Sequence, residues 1–172
     1  MRNHDGHGNH EEHEDHEGHE GKERHQENEG DDVTERRPTQ KGMRLESPLS
    51  PEEEQAMSDT IGAAIEVHRA LGPGFLESIY RKAMYIELRA RGLSYEAERP
   101  VVVRYRESDI GGQRVDLIVG GLIVVELKSV LRLDEIHRAQ VLSYLKTTGL
   151  RGGLLINFRV PVLKAGLRRV VR

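Results

Sequence analysis

Between Arg114 and Ser129 the chain reads R-V-D-L-I-V-G-G-L-I-V-V-E-L-K-S, two apolar, β-branched runs around a Gly-Gly pair. Short apolar runs bounded by turn signals are strands of a buried sheet. Asp116, Glu126 and Lys128 are therefore charges set into strands that the sheet should bury. Burying charge is costly unless the charge is paired or binds a metal. Two carboxylates and an amine on neighbouring strands are the groups that metal-assisted hydrolysis of a phosphodiester requires.

Around this hairpin the residue pattern predicts a layered domain. Ser50, Pro51 and Glu53 stand at the N-cap, first and third positions of a capping box, which satisfies backbone N–H groups that a helix start leaves open. Met57, Ile61, Ala64, Ile65, His68 and Leu71 follow at helical spacing, and Gly72-Pro73-Gly74 ends the helix. A second helix is expected over Phe75 to Arg91, with Leu76, Ile79, Tyr80, Ala83, Ile86 and Ala90 as its inner stripe and Gly92 as its stop. Short strands are expected at Leu93 to Glu96 and Val101 to Tyr105, separated by Pro100, with a turn over Ser108 to Gln113. The hairpin strands are Val115 to Val119 and Leu122 to Leu127. A third helix over Asp134 to Thr148 carries Ile136, Ala139, Val141, Leu142 and Leu145 nearly all round, as a helix buried between layers does. Its polar seam is His137, Gln140 and Tyr144, and strands at Gly153 to Phe158 and Val162 to Val171 complete the chain. The order of elements is that of an α/β or α+β domain with a mixed sheet.

Charge divides the chain in two. Residues 1 to 54 hold 17 acidic and 7 basic side chains, and residues 55 to 172 hold 12 acidic and 19 basic. The basic part suits a polyanionic partner, because phosphate contacts release counterions. Residues 1 to 49 have almost no large apolar side chains and are expected to form a disordered tail ahead of a domain spanning 50 to 172. In this tail His4, His7, His10, His13, His16 and His19 recur every third residue, a density that can chelate zinc, nickel or copper. A solvated low-complexity tail is the alternative. No Cys is present, which excludes disulfides and thiolate chemistry. No run approaches the roughly 20 apolar residues of a membrane span, so a cytoplasmic protein without a membrane partner is expected.

Asp116 and Glu126 supply the one or two carboxylates by which Mg²⁺ or Mn²⁺ is usually held, with substrate oxygens and water completing its shell. Lys128, on the same strand face as Glu126, would orient the attacking water or stabilise charge developing on phosphorus. The alternative is a surface ion pair between Glu126 and Lys128 with Asp116 capping a turn. His68 on an apolar helix face reads as a satisfied core histidine, and Gln140 with Tyr144 as a buried hydrogen-bond pair unless a site lies beside them.

Gly74-Phe75-Leu76-Glu77-Ser78-Ile79-Tyr80 is a G-x-x-E-x-x-Y motif. With I-G-A-A-I-E-V-H-R-A-L-G-P-G, V-D-L-I-V, V-V-E-L-K, H-R-A-Q-V-L-S-Y-L and G-L-L-I-N-F, it makes the chain resemble the bacterial GxxExxY proteins, grouped with the PD-(D/E)xK restriction-endonuclease-like phosphodiesterases. The resemblance covers about Ile61 to Arg172. It implies an α-β-β-β-α-β core, here with an extra N-terminal helix, and nuclease activity dependent on Mg²⁺ or Mn²⁺. It further implies that Glu77 is a helix-borne acid completing a metal site with Asp116 and Glu126, and that Lys128 is the catalytic base or charge stabiliser. Gln140 and Tyr144 match the Q-x-x-x-Y helix that lies beside the site in many such nucleases. Val115 stands where the superfamily name has proline. The partner implied is nucleic acid, with DNA expected, and a homodimer would suit an enzyme that cuts both strands. A module of the same fold that binds nucleic acid or protein without chemistry is the alternative.

The hairpin sets a geometric condition. If Gly120-Gly121 were a two-residue turn, Asp116 would face Val125, and Asp116 and Glu126 would point to opposite sides of the sheet. A shared site therefore predicts a bulge near Asp116 or an odd-numbered loop within Val119 to Leu122.

Overall fold

The computed structural model describes residues 47–172, so the reading of the His-rich segment lies outside the described residues. Helix α1 spans Pro51–Leu71, α2 Glu77–Ala90, strand β1 Tyr95–Tyr105, β2 Ser108–Val119, β3 Ile123–Lys128, α3 Glu135–Thr148, β4 Gly152–Asn157, α4 Leu163–Gly166 and β5 Leu167–Val171. The capping box forms as expected: Ser50 Oγ accepts the Glu53 N–H (3.2 Å), and Glu53 Oε2 accepts the Ser50 N–H (2.7 Å). Leu49, which the sequence reading leaves in the tail, is already packed into the core.

The five strands lie in the order β1-β2-β3-β4-β5. Pairing is antiparallel except between β3 and β4, which run parallel and are joined through α3, as a parallel pair needs a crossover. Two buried clusters cover the two faces. One joins α1 and α2 to Leu117, Val119, Ile123, Val125, Leu127, Leu154 and Ile156, and the other joins α3 to Val115, Ile118, Val124, Leu155 and Val170. The result is the expected α-β-β-β-α-β core, preceded by α1 and closed by β5. Among the described residues no helix is long and apolar enough to cross a membrane.

Several local expectations are corrected. β1 is one strand of 11 residues rather than two. It is an edge strand, where a missing proline N–H removes no pairing needed by the interior, so Pro100 does not break it. Ser108 to Gln113 belongs to β2. The reversal is a two-residue turn at Arg106 and Glu107, with Arg106 at φ +53°. The inner stripe of α2 is Tyr80, Met84 and Leu88. Leu76, the N-cap residue, and Ile86 are exposed, at 74% and 66%, while the buried row of α2 packs against α1 and the central strand β3. α3 likewise buries one side, Val141, Tyr144 and Leu145, and leaves Ile136 71% exposed. The last strand is preceded by one helical turn, α4.

α3 lies so close to β4 that a Cβ at Gly153 would sit 2.6 Å from Val141 Cγ1 and 3.4 Å from Leu145 Cδ1. Valine has one stiff torsion and cannot swing away. Gly153→Ala is predicted to lower stability by about 1–3 kcal/mol, measured by urea unfolding, with partial recovery when combined with Val141→Ala. A single variant as stable as the parent would contradict this packing.

Candidate active site

The glycine-rich stretch after α1 fixes where α2 begins. Tyr80 is fully buried, stacked on Phe158 with ring centroids 4.4 Å apart. Its hydroxyl donates to Gly72 O (2.6 Å) and accepts from Phe75 N–H (3.2 Å), closing the loop upon the helix. Gly74 within that loop has φ +116°, a conformation that glycine adopts without steric cost. Ser129 Oγ, one residue beyond β3, donates to Phe75 O (2.7 Å). The tyrosine of the motif thus holds the loop, and the loop that leads into Glu77 in the first turn of α2 is tied to the end of β3.

The hairpin has the odd-numbered loop by which a shared site can form. Val119 pairs with Ile123, so the connection holds three residues, Gly120, Gly121 and Leu122. The same register continued brings Asp116 opposite Glu126. The ladder itself ends at Leu117 and Val125, and Asp116 Oδ2 extends it by accepting the Leu127 N–H (2.9 Å). In addition, Val115 and Leu117 belong to clusters on opposite faces of the sheet, although residues two apart on a regular strand share a face. The pleat therefore resets at Asp116. The residue across from it on β1, Glu98, drops out of the pairing and takes φ +48°.

Glu126 lies on the central strand and is 2% exposed. Its Oε1 is hydrogen-bonded to Lys128 Nζ, and its Oε2 is buried without a partner. Burial, then the nearby charge of Asp116, push its carboxyl up to about 7 against the opposing pull of Lys128. Burial draws the Lys128 ammonium down, but the hydrogen bond that it donates to Glu126 and the charges of Glu126, Glu77 and Asp116 outweigh it and hold the group above its usual value. In this state Lys128 keeps its proton and Glu126 is the group poised to exchange one.

Arg81 joins the remaining acids. Its Nη2 lies 2.9 Å from Glu77 Oε1 and 3.2 Å from Asp116 Oδ1, and its Nη1 lies 3.4 Å from Glu98 Oε1. From α3, Gln140 Nε2 donates to Tyr144 Oη (2.7 Å). Burial raises the Tyr144 hydroxyl, with the charges of Glu126 and Asp116 adding to the shift, so this pair stands within electrostatic reach of the site. Glu77, Asp116, Glu126 and Lys128 thus lie around the end of β3, with Arg81 between Glu77 and Asp116, while the side chains of Gln140 and Tyr144 are bonded to each other on α3. His137 does not join them: its Nδ1 accepts the Asp134 N–H (3.0 Å) and caps α3. His68 is a core histidine, with Nε2 at 2.8 Å from Val160 O and its ring stacked on Phe158.

Two participants escaped the sequence reading. Arg81 stands four residues after Glu77, the spacing at which opposite charges meet on a helix, and that signal was available. Asn157, paired with Lys128 across β3 and β4, is buried and clamps Val130 through both its amide atoms, Oδ1 to the N–H (3.0 Å) and Nδ2 to the carbonyl (2.8 Å). It fixes the chain just beyond Lys128.

Among the described residues no three His, Cys, Asp or Glu side chains are gathered tightly enough to hold a metal ion between them. On the Glu77 side the Arg81 guanidinium lies between Glu77 and Asp116. On the Asp116–Glu126 side the donor chemistry suits a hard divalent cation: magnesium uses one or two carboxylates, and Glu126 Oε2 is a buried carboxylate oxygen without a hydrogen-bond partner.

A family model described as the PD-(D/E)XK nuclease superfamily matches residues 54–170. No curated protein and no solved structure matches the chain.

Two measurements test this geometry. Tyr80→Phe removes both hydroxyl contacts of the glycine loop and is predicted to cost about 1–3 kcal/mol in urea unfolding; no loss would show that the loop is held otherwise. Glu126 binds its proton more tightly in the folded than in the unfolded chain, so its contribution to stability falls as pH rises from about 4.5 to about 7. In chelator, the thermal unfolding profile of Glu126→Gln should lack that decline, an effect on the order of 1–3 kcal/mol. Parallel profiles for variant and parent across this window would refute the assignment.

Proposed function

The chain belongs to the PD-(D/E)XK nuclease superfamily, and from that premise we propose that it is a divalent-metal-dependent nuclease hydrolysing phosphodiester bonds in DNA. The observation that carries the reading is Glu126: a carboxylate at the centre of the sheet with one oxygen on Lys128, the other unpartnered, and Asp116 brought opposite by a three-residue loop. A chain that needed only a stable hairpin would place an apolar residue there, because a buried ion pair rarely stabilises more than its hydrophobic replacement.

In this reading Asp116 and Glu126 hold Mg²⁺ or Mn²⁺, with Glu77 behind Asp116 through Arg81. When bound, such an ion lowers the pKa of its water and offsets the charge that develops on phosphorus. Lys128, protonated and fixed through Glu126, is suited to stabilising that charge rather than to taking a proton. Gln140 and Tyr144, bonded to each other on α3, would border the site in this reading. The excess of basic side chains after residue 54 supports a polyanionic substrate.

The second reading, a module that binds nucleic acid or protein without chemistry, draws on Arg81 lying among the acids. It predicts salt-sensitive binding that is indifferent to chelators and to changes at Glu126.

Digestion of plasmid, linear and branched DNA separates the two. Wild-type protein should cleave with Mg²⁺ or Mn²⁺ and stop in chelator. Glu126→Ala and Lys128→Ala should each lose on the order of 100-fold or more in rate while keeping the wild-type circular dichroism spectrum. Unchanged cleavage by the double variant would sink the nuclease assignment.

A further inference from the structure

We propose that Arg81 is a built-in cation of this site, occupying its Glu77–Asp116 side so that the site admits a single divalent ion on the Asp116–Glu126 side. The proposal rests on the metal-dependent reading above and revises it at one residue. Glu77 becomes the positioning partner of Arg81 instead of a metal ligand.

The geometry supports this from three directions. First, one nitrogen of Arg81 bridges two acids, at 2.9 Å from Glu77 and 3.2 Å from Asp116, and the other reaches Glu98 at 3.4 Å. A single planar guanidinium thereby serves three carboxylates, the fork geometry for which arginine is suited and lysine is not.

Second, the side chain is retained at a cost. Arg81 Nε is buried without a hydrogen-bond partner, a loss that outward rotation into water would relieve. The attraction of the three acids outweighs it. Glu98 also takes a left-handed backbone conformation, at φ +48°, in the strand that faces Asp116, and non-glycine residues hold such angles only where surroundings over-determine them. Its side chain meets Arg81 and, at 3.6 Å, Arg114.

Third, the charge cannot be discharged. Arginine stays protonated throughout the range in which proteins fold, so a second divalent ion beside Asp116 would meet a permanent positive charge at contact distance. Two-metal phosphodiesterases hold ions roughly 3.5–4 Å apart, and here the second position is taken by a side chain anchored on α2. The first turn of that helix is itself fixed by the Tyr80 loop.

Frozen-solution electron paramagnetic resonance of the full chain titrated with Mn²⁺ tests the proposal. Two ions at that separation are exchange-coupled, whereas one ion gives an isolated six-line signal. Wild type should show an uncoupled signal that Asp116→Asn removes in part. Arg81→Met should admit a second ion and show the coupled spectrum, and Arg81→Lys, which keeps the charge, should stay uncoupled. Arg81→Gln serves in place of Arg81→Met should the latter not fold. A coupled pair in the wild type, or an uncoupled single ion in both neutral variants, would overturn the proposal and leave the nuclease reading intact. Wild type and Asp116→Asn with identical Mn²⁺ signals would instead remove the metal site itself, and both readings with it.

Discussion

A carboxylate buried on the middle strand of a five-stranded sheet is the constraint from which the rest of this structure follows. Glu126 has apolar neighbours before and after it on β3 and almost no access to water. Such a group must be neutralised, paired or metal-bound. Lys128 meets one of its oxygens, and the rise of its pKa to about 7 is the residue of a demand that Lys128 alone does not satisfy. The second oxygen is buried without a hydrogen-bond partner. Stability alone gives no reason for this arrangement, which is why the proposed function rests on it.

The surrounding irregularities serve that carboxylate. The third loop residue, Leu122, shifts the register of the hairpin so that Asp116 comes opposite Glu126, and the reset of the pleat at Asp116 frees its side chain to cap Leu127 and to meet Arg81. Tyr80 and Ser129 tie the start of α2 to the end of β3, and Asn157 pins the segment that leaves Lys128. A site that must hold charges in fixed positions needs its supporting contacts locked as well. The glycines, the tyrosine and the serine near the motif are explained by this locking rather than by contact with substrate.

Much of this was legible in the chain. Charges inside apolar runs marked the site, and the parity of the hairpin loop demanded an irregularity that pairing of Val119 with Ile123 then supplied. The capping box and the G-x-x-E-x-x-Y motif located α1 and α2. What the periodicity misjudged was which apolar residues a helix buries. Leu76 at the N-cap of α2, Ile79 and Ile86 on α2 and Ile136 on α3 follow helical spacing yet are exposed, because which rows a helix buries depends on the elements packed against it, which local pattern does not contain. Pro100 was over-read for a similar reason: whether proline breaks a strand depends on whether that strand is an edge. Arg81 was legible only as an i,i+4 partner of Glu77. Its bridge to Asp116 depends on the reset at that residue.

The central claim, that Asp116 and Glu126 are a cation site, is tested most directly by anomalous diffraction from crystals grown with Mn²⁺. The account predicts a peak within bonding distance of both carboxylates, with Glu126 Oε2 among the ligands and Arg81 still bridging Glu77 and Asp116. A map without a peak there, at Mn²⁺ concentrations that support any cleavage, with Glu126 paired only to Lys128, would contradict it.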